Sequence, residues 1–263
     1  MAAILELRQV EKAFKKDRSR QLPAVKGFDL EVSEGEFFCL LGPSGCGKST
    51  VLNLVAGFEQ VSSGEILHHG SRVVGPSVDR GVIFQGTDSL YPWLNSIENV
   101  EFGLRLKNVP KKKRRDMAHQ YLELVGLQGH DAKFPHELSG GMMQRVQLAR
   151  VLCNNPSILL MDEPFGALDA ITRTALQAEL ARIWEGTRKT VLFITHDLEE
   201  AIILGDRLGV MTAGPEAKLK EVVDVDLPRP RDRIMPEFME LYAHCRGLVS
   251  EEVQKAMSQM KDL

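Results

Sequence analysis

Residues 42–50 read Gly-Pro-Ser-Gly-Cys-Gly-Lys-Ser-Thr, and their spacing matches the GxxxxGK[ST] pattern of loops that bind phosphate groups. Glycines at these positions let the backbone bend so that several N–H groups point inward at an anion. A helix that begins at Lys48 would add the positive end of its dipole at the same place. We therefore expect Lys48 to reach the terminal phosphates of a polyphosphate ligand and Ser49 to bind Mg²⁺.

The remainder of this loop is expected to wrap around the phosphates. The alternative is a glycine-rich turn without function, but the loop follows a predicted strand and opens a predicted helix, as a phosphate loop must. Cys46 is expected to be a small, tolerated side chain, although the positive field of the loop could instead lower the pKa of its thiol. The predicted ligand-binding residues of the loop are Gly42, Pro43, Ser44, Gly45, Cys46, Gly47, Lys48, Ser49 and Thr50.

A second group of chemically capable residues lies where the apolar segment 158–161 ends in two carboxylates, Asp162 and Glu163. The first is placed to hold Mg²⁺, and the second to orient and polarise an attacking water molecule. An acid after an apolar strand is common, so this pair alone is a moderate signal. Together with the phosphate loop it predicts phosphoryl transfer, because that chemistry needs both a phosphate cradle and a metal anchor.

Strand-like and helix-like segments alternate at both ends of the chain, which favours an α/β fold with a parallel or mixed sheet covered by helices. From Ser96 to about Val125 the pattern is helical and broken once at Asn108-Val-Pro, and a further helix is expected to begin near Ser139. A helical subdomain is therefore expected to be inserted into that sheet. The predicted strands are residues 4–10, 27–33, 36–41, 64–68, 81–84, 158–161, 190–194 and 207–211, and the predicted helices include residues 49–56, 172–184 and 198–204.

These elements suggest a domain organisation. Residues 1–230 form the main domain, with a core of residues 1–88 and 156–213 and a helical subdomain at about residues 89–155. From Ala213 onward the chain is expected to form an extension with a stiff Leu-Pro-Arg-Pro-Arg segment and two short helices, so that residues 231–263 are a C-terminal helical extension.

Composition limits the classes of partner. The chain has 33 Lys and Arg against 36 Asp and Glu, a net charge of -3, so no basic excess favours nucleic acid. No segment approaches the ~20 apolar residues that span a bilayer, and no secretion signal is recognisable at the start. The 4 cysteines form no CxxC pair, which argues against a zinc site and a disulfide framework and favours reduced thiols.

The segment Leu-Ser-Gly-Gly-Met-Met-Gln-Arg at residues 138–145 closely resembles the signature motif of ABC ATPases, and the other motifs of that family follow in order over residues 1–230. The resemblance implies a P-loop NTPase fold: a RecA-like core with an antiparallel β subdomain and an inserted α-helical signature subdomain. It also implies that the chain binds ATP and Mg²⁺ and hydrolyses ATP. Many relatives carry a polar residue in place of one of the two methionines, but the anion-binding Ser and Gly are unchanged.

The same resemblance implies roles for four further residues. Phe14 resembles the aromatic residue that stacks on adenine, and Asp169 the D-loop residue that couples two ATP sites. Gln85 resembles the Q-loop glutamine, which links the nucleotide to the helical subdomain and the permease. His196 resembles the switch histidine that contacts the terminal phosphate. Taken singly, each of these residues could be structural, and Phe14 in particular could belong to the core. The predicted catalytic residues are Glu163, His196, Gln85 and Lys48, and the predicted metal ligands are Ser49, Gln85 and Asp162.

Ser139, Gly140 and Gly141 at the start of a helix would make a second anion site. Within one chain this site is redundant beside the phosphate loop. The family resolves the redundancy with a head-to-tail homodimer, in which these residues of one copy cover the ATP held by the other copy's phosphate loop. A two-fold arrangement gives two equal sites, and ATP binding and hydrolysis then switch the dimer between two states.

Residues 164–170, 183–184, 195–201 and 227–231 resemble the nitrate/sulfonate/taurine importers within this family. That resemblance implies an ATPase homodimer peripherally bound to two transmembrane permease subunits at the cytoplasmic face of a bacterial inner membrane. An external solute-binding protein would deliver a small anion or organic solute such as nitrate, sulfonate or taurine. The solute never touches this subunit, so its sequence does not identify it.

Two segments stay open between a functional and a structural interpretation. Residues 91–94, Tyr-Pro-Trp-Leu, either line a groove that receives a permease helix or pack in the core of the helical subdomain. The basic run at residues 111–115 either touches anionic lipid or is a solvated helix face.

Two other functions compete with that of an importer subunit. A non-transport ABC ATPase of the translation or DNA-repair type usually has two cassettes, long coiled coils or zinc modules, and this chain has one cassette, no sustained heptads and no CxxC. An ATP-binding scaffold that no longer hydrolyses ATP is disfavoured because Glu163 and His196 are both present.

Overall fold

The structure is a computed structural model that describes residues 3–14, 22–86 and 89–261, the last three of these by their backbone only. The described residues alternate strands and helices, as the sequence predicts. In chain order the elements are β1 (Ala3–Lys12), β2 (Val25–Ser33), β3 (Phe37–Leu41), α1 (Lys48–Ala56), β4 (Ser63–His68), β5 (Ser71–Arg72), β6 (Arg80–Ile83), α2 (Ser96–Leu106), α3 (Lys111–Leu124), a 3₁₀ turn (Pro135–Glu137), α4 (Gly140–Cys153), β7 (Ile158–Asp162), α5 (Ala170–Thr187), β8 (Thr190–Ile194), α6 (Leu198–Leu204), β9 (Arg207–Met211), β10 (Leu219–Asp224) and α7 (Pro236–Lys261).

The chain forms two compact units, and the first comprises residues 1–77 and 189–263. One of its sheets is antiparallel, with the strand order β2-β1-β4-β5. In the other, β3 pairs in parallel with both β8 and β9, and β10 runs antiparallel to β9. Every residue of β3 and β8 is buried, which is typical of parallel strands covered on both faces.

The second unit comprises residues 78–188. Its strands β6 and β7 pair in parallel, with Ile83 opposite Met161. Helices α2, α3 and α4 pack against one another, and α5 packs against α4. This unit therefore holds the predicted helices together with two strands, and the predicted boundaries at residues 89 and 155 stay a prediction.

The break between α2 and α3 lies where Asn108-Val-Pro predicts it. Helix α2 begins with a capping box, in which Asn95 accepts the Glu98 N–H at 3.0 Å and Glu98 accepts the Asn95 N–H at 3.2 Å. After α2 ends, Asn108 adopts a left-handed backbone with φ of 56°. Helix α3 then starts directly after Pro110. Left-handed Asn and a following Pro both oppose helix continuation, so the two helices are separate.

The C-terminal region differs from its prediction in two ways. Residues 219–224 form the edge strand β10, and α7 is one helix of 26 residues instead of two short helices. The sequence of β10, Leu-Lys-Glu-Val-Val-Asp, does not alternate, so its pairing with β9 is what defines it as a strand. Helix α7 continues through Gly247. A glycine in a helix interior lowers the free energy of unfolding by about 1 kcal/mol, which is small beside the free energy gained when α7 buries one face.

Helix α7 is held to the first unit by side chains buried at intervals of seven residues: Phe238, Cys245 and Glu252. Glu252 is 1% exposed, and its carboxylate accepts hydrogen bonds from the Ala213 N–H at 3.0 Å and from Lys255 Nζ at 2.7 Å. Lys220 Nζ lies 3.0 Å away as well. Burial alone raises the pKa of Glu252, but the bonds from Lys255, Ala213 and Lys220 outweigh it and lower the pKa to about 2. Within the described part of the chain, no helix is both long and apolar enough to cross a bilayer.

The stiff segment after β10 closes the end of α6. Arg231 Nη1 donates to the Ile202 carbonyl at 2.6 Å, and Arg229 Nη2 donates to the Leu204 carbonyl at 2.6 Å. Arg229 also pairs with Asp206 at 2.7 Å. Cations at the C-terminal end of a helix satisfy carbonyl groups that have no partner inside the helix, so this segment has a structural role in the first unit.

The buried carboxylate of Glu252 makes the stability of the chain depend on pH. Because its pKa is lowered in the folded state, its contribution is present above the ordinary Glu pKa and is lost as the pH falls toward 2. We expect Glu252→Gln to lower the free energy of unfolding at pH 7 by up to about 3 kcal/mol, and the difference from the parent to shrink at pH 3. Urea unfolding at both pH values measures this. Glu240→Gln, which removes an exposed carboxylate of the same helix, should change it by less than about 0.5 kcal/mol. A difference that is the same at both pH values would contradict the assignment.

Candidate functional site

The predicted phosphate loop leaves the carboxyl end of β3 and enters α1 at Lys48, as the motif requires. Gly45 and Gly47 have φ of 78° and 103°, which side chains other than Gly rarely adopt. The loop is therefore curved by its glycines, and it ends at the N-terminus of α1.

Lys48 stands at the centre of this curve. Its side chain is buried, and Nζ donates to the carbonyl oxygens of Gly42 at 2.8 Å and Pro43 at 3.0 Å. A buried ammonium group must be compensated by acceptors, and here the loop itself supplies them. The arrangement concentrates one positive charge and the dipole of α1 at the place where an anion is predicted to bind.

The two left-handed glycines of the loop differ in their surroundings. A Cβ on Gly47 would lie 3.1 Å from Val25 Cγ2 and 3.4 Å from the Ala24 carbonyl, whereas a Cβ on Gly45 would meet nothing within 4 Å. Cys46 between them is buried, and burial raises the pKa of its thiol more than the nearby Lys48 lowers it. The suggestion that the loop's positive field lowers the pKa of Cys46 is thus wrong, and the thiol stays protonated near neutral pH.

His196 lies at the same edge of the first unit's sheet as the phosphate loop. β3 and β8 are parallel neighbours with Leu40 opposite Ile194, and the loop and His196 follow their carboxyl ends. Thr195 fixes this turn because its N–H donates to the Leu40 carbonyl at 3.3 Å and its Oγ1 accepts the Asp197 N–H at 3.0 Å. The His196 side chain is exposed. Parallel strands gather chemically active loops at their carboxyl ends in this way.

Phe14 follows β1 in the first unit and does not belong to the core. It is 43% exposed, and Lys12 Nζ lies 5.0 Å from the centre of its ring. An exposed ring of this kind has a free face for stacking, whereas the core interpretation requires burial. The role of Phe14 toward adenine stays a prediction.

In the second unit, Gln85 follows the parallel strand β6, Asp162 is the last residue of its neighbour β7, and Glu163 follows β7 directly. A Cβ on Gly166 would lie 3.4 Å from Gln85 Nε2 and 3.8 Å from Glu163 Oε2, so both side chains border the same glycine. Glu163 has φ of 42°, a strained value for a residue with a side chain. Its carbonyl accepts the Gly166 N–H at 3.1 Å, which fixes the turn.

The signature segment forms the N-terminus of α4. Ser139 caps the helix, with its Oγ accepting the Met142 N–H at 3.3 Å. A Cβ on Gly141 would lie 2.7 Å from Thr172 Cγ2, so only glycine allows α4 to approach α5 at this point. Gly140 and Ser139 present the free N–H end of α4, as the prediction of an anion site requires.

Asp169 caps α5 by accepting the N–H groups of Ile171 at 3.1 Å and Thr172 at 3.0 Å. These hydrogen bonds, that of Thr172 foremost, lower the pKa of its exposed carboxyl. Within the chain Asp169 therefore has a local structural role, and its coupling of two ATP sites stays a prediction.

The predicted metal ligands are oxygen donors: the hydroxyl of Ser49, the amide oxygen of Gln85 and the carboxylate of Asp162. Such hard oxygen ligands are those Mg²⁺ prefers, in small number and with water completing its shell. The donor set therefore fits Mg²⁺ chemically. The sulfur of Cys46 is not part of this set, because the thiol is buried and protonated in the loop.

Sequence reasoning missed two residues that support these positions. Gln147, on the buried face of α4, donates from Nε2 to the Gly86 carbonyl at 2.8 Å and so holds the segment that follows Gln85. Thr195 fixes the turn of His196. The sequence did indicate a role for Gln147. It stands between the apolar residues Val146 and Leu148 on a helix, where a buried amide needs a hydrogen-bond partner.

The segment at residues 91–94 is an exposed turn of the second unit. Asn99, fully buried, accepts the Tyr91 N–H at 2.9 Å and donates to the Leu94 carbonyl at 2.9 Å. Trp93 is 69% exposed, so core packing is not its role in the chain. Beside Tyr91 lies an open cavity of about 240 Å³ that Phe102 and Arg150 also line.

The basic run at residues 111–115 opens α3. Arg114 and Arg115 lie 3.3 and 3.6 Å from the buried carboxylate of Glu101, so two of its five cations have partners inside the unit. The three lysines are exposed. This pattern is that of a solvated helix face anchored by its two arginines.

The contrast between the two glycines gives a prediction about the phosphate loop. Gly45→Ala should lower the free energy of unfolding by about 1–2 kcal/mol, the cost of a left-handed backbone. Gly47→Ala should cost about 3 kcal/mol, because its φ lies further from the left-handed minimum and its Cβ presses on Val25. Urea unfolding of both variants without nucleotide tests this, and equal effects would show that the contact with Val25 is unimportant.

Comparison with known proteins agrees with this geometry. The family model described as ABC transporter matches residues 25–166. An uncharacterized ABC transporter ATP-binding protein of Methanocaldococcus jannaschii is 46% identical over 257 residues, 98% of this chain and 95% of that protein. The nitrate import ATP-binding protein NrtD of Synechococcus elongatus is 47% identical, over 80% of this chain and 77% of its own length. The taurine import ATP-binding protein TauB of Shigella boydii is 47% identical, over 76% and 78%.

Among solved structures, the dimeric post-hydrolysis structure of the ATP-binding cassette MJ0796 bound to ADP and Pi superimposes with a TM-score of 0.73 at 31% identity. It covers 85% of this chain and 100% of the solved chain. The predicted P-loop NTPase fold is confirmed by this likeness. With the family model, the near full-length relatives and the phosphate loop in agreement, this chain belongs to the ATP-binding proteins of ABC transporters and is an ATPase of that family.

Proposed function

We propose that this chain is the ATP-hydrolysing subunit of a bacterial ABC importer, and that it acts as a homodimer attached peripherally to the cytoplasmic face of the inner membrane. The observation that carries the proposal is the phosphate loop, built between β3 and α1 with a buried lysine at its centre. The sequence relatives named for nitrate and taurine import support the importer branch.

In this proposal the loop binds the phosphates of ATP through the backbone N–H groups of residues 42–50. Lys48 exchanges its bonds with the carbonyls of Gly42 and Pro43 for bonds with terminal phosphate oxygens. Phe14, with its exposed ring, stacks on the adenine. His196, at the neighbouring strand end, contacts the terminal phosphate and stabilises charge in the transition state.

Glu163 orients the attacking water and accepts its proton as the water oxygen bonds to the γ-phosphorus. The bond from that phosphorus to the bridging oxygen breaks, and ADP and phosphate leave. The strained backbone and the turn closed by Gly166 hold the Glu163 carboxylate at the strand end, next to the Gln85 amide. Positioning of this kind is most of what phosphoryl transfer needs from a protein.

Ser49, Gln85 and Asp162 are the residues that would hold Mg²⁺. The ion, when bound, neutralises part of the phosphate charge. The chain's own contribution is to supply oxygen ligands of the required type.

The homodimer gives the signature segment its role. Helix α1 already offers its N-terminus to the phosphates in each copy, so the free N-terminus of α4, with Ser139, Gly140 and Gly141, serves the ATP of the other copy. Asp169, which begins the next helix, couples the two sites. The dimeric form of the solved cassette supports this arrangement.

Replacing Glu163 tests the ATPase proposal. Glu163→Gln keeps the size of the side chain but removes the group that accepts the proton, so steady-state ATP hydrolysis should fall at least about 100-fold while ATP binding persists. The variant should elute as a dimer with ATP in size-exclusion chromatography and as a monomer without it. Glu179→Gln, a change on α5, is the matched control. A Glu163→Gln protein that hydrolyses ATP as fast as the parent, or stays monomeric with ATP at high concentration, would refute the assignment.

The permease is proposed to bind at the turn of residues 91–94 and the cavity beside Tyr91. An exposed tryptophan next to an aromatic-lined cavity suits an inserted helix, because large aromatic side chains dominate such contacts. Two permease subunits would bind one ATPase dimer, and an external solute-binding protein would reach it through them. The transported solute is a small anion or organic solute of the nitrate, sulfonate or taurine kind.

Trp93→Ala tests this surface. We expect uptake by the assembled transporter to fall at least about tenfold, the loss typical of a removed aromatic anchor. The ATPase rate and melting temperature of the isolated subunit should stay near those of the parent, because Trp93 is exposed. Met239→Ala removes an exposed apolar side chain of α7 and should leave uptake unchanged. Normal uptake by Trp93→Ala would place the permease elsewhere.

A further inference from the structure

Glu252 breaks the pattern of the face that α7 buries. Phe238 and Cys245 precede it at intervals of seven residues, and an apolar side chain would continue the series. The carboxylate that stands there is buried, so it costs free energy unless donors compensate it. Its donors are the N–H of Ala213 and the ammonium groups of Lys255 and Lys220. Packing alone does not require an acid at this position.

The backbone group that Glu252 holds belongs to the connection between β9 and β10. This connection lies against the phosphate loop: a Cβ on Gly214 would be 3.3 Å from the Gly45 carbonyl oxygen and 3.5 Å from Cys46 Cα. At the start of the loop, a Cβ on Gly42 would be 3.1 Å from Met211 Cβ. The connection therefore lies against Gly45 and Cys46 of the phosphate loop, and Met211, the last residue of β9 before the connection, lies against Gly42.

The same connection is hydrogen-bonded to residues at the start of β2. The Ala217 N–H donates to the Ala24 carbonyl at 3.1 Å, and the Lys26 N–H donates to the Ala217 carbonyl at 3.1 Å. Ala24 in turn lies beside the phosphate loop, since a Cβ on Gly47 would be 3.4 Å from the Ala24 carbonyl oxygen. The connection that borders the phosphate loop is thus hydrogen-bonded to its surroundings at two points, to Glu252 through Ala213 and to Ala24 and Lys26 through Ala217.

We propose that Glu252 is a positioning residue for the phosphate loop, and that through it the C-terminal helix α7 sets the affinity for ATP. The inference rests on the proposed role of this loop in binding ATP. Without the anchor at Ala213, the connection and the loop beside it sample more conformations, and binding ATP must order them at a cost in conformational entropy. Loss of the anchor therefore weakens ATP binding, while the groups that act on the attacking water are unchanged.

Three variants of α7 separate positioning from stability. Glu252→Leu fills the same space but cannot accept the Ala213 N–H, so the Kd for ATP and the KM should rise about tenfold, the size expected for one hydrogen bond to a charged group. The kcat should stay within about twofold. Glu252→Gln keeps an acceptor for Ala213 and should restore the Kd to within about threefold of the parent, although it also loses the charge. Glu240→Gln, which removes an exposed carboxylate of the same helix, is the control with an unchanged Kd.

The Kd is measured by equilibrium binding of ATP to the full chain well below the melting temperature, and KM and kcat by steady-state hydrolysis. A Glu252→Leu protein that is less stable but keeps the parent's Kd and KM would show that Glu252 is only structural and would overturn the inference. Equal Kd values for the Leu and Gln variants, both raised, would overturn the role of the Ala213 bond.

A second variant applies if Glu252→Leu does not fold. Gly214→Ala presses a methyl group toward the Gly45 carbonyl without touching α7, so it should raise the Kd for ATP about threefold. An unchanged Kd for Gly214→Ala would overturn the inference by itself. Lys48→Ala tests the proposed function separately: if that variant binds ATP like the parent, the loop is not the ATP site, whatever the α7 variants do.

Discussion

The interaction on which this structure depends is that between the buried, positively charged Lys48 side chain and the carbonyl oxygens of the phosphate loop. The ammonium group of Lys48 lies out of water and is held by two carbonyl oxygens of the loop that precedes it. An ion in that position is tolerable only with acceptors at hydrogen-bond distance. Glycines with left-handed backbones curve the loop so that these carbonyl oxygens reach the ammonium group. In a loop of this curvature, backbone N–H groups point toward the space that an anion would fill. The local fold thus prepares a positive site before any ligand arrives.

The chemical groups are collected at strand ends in each unit. In the first, the phosphate loop and His196 follow the neighbouring parallel strands β3 and β8. In the second, Gln85 and the pair Asp162 and Glu163 lie at the carboxyl ends of the parallel strands β6 and β7. Parallel pairing makes this happen, because it places all carboxyl ends at one edge and leaves the buried strands rigid behind them.

The C-terminal helix shows how a structural element can matter to a distant loop without touching a ligand. Its burial is mostly apolar, yet one of its deepest side chains is an acid bonded to a backbone N–H. The group it holds belongs to the connection that lies against the phosphate loop. Polar anchors of this sort fix one arrangement among several that apolar packing alone would allow, since a hydrogen bond has a direction and apolar contact does not.

Spacing and pattern within short windows of the sequence predict the phosphate loop, the acidic pair, the signature helix and the strands β1–β4 and β6–β9, but not the short strand β5. The roles that depend on partners far away in the chain follow instead from the folded structure. β10 is a strand because β9 pairs with it, and Trp93 is exposed although its type suits a core. α7 is one helix because the burial of one of its faces outweighs the helix-destabilising effect of Gly247. Glu252 gains its role from Ala213, 39 residues away, and no local pattern encodes that separation. Short-range periodicity reports backbone preference, whereas burial and partner choice are settled only when the whole chain packs.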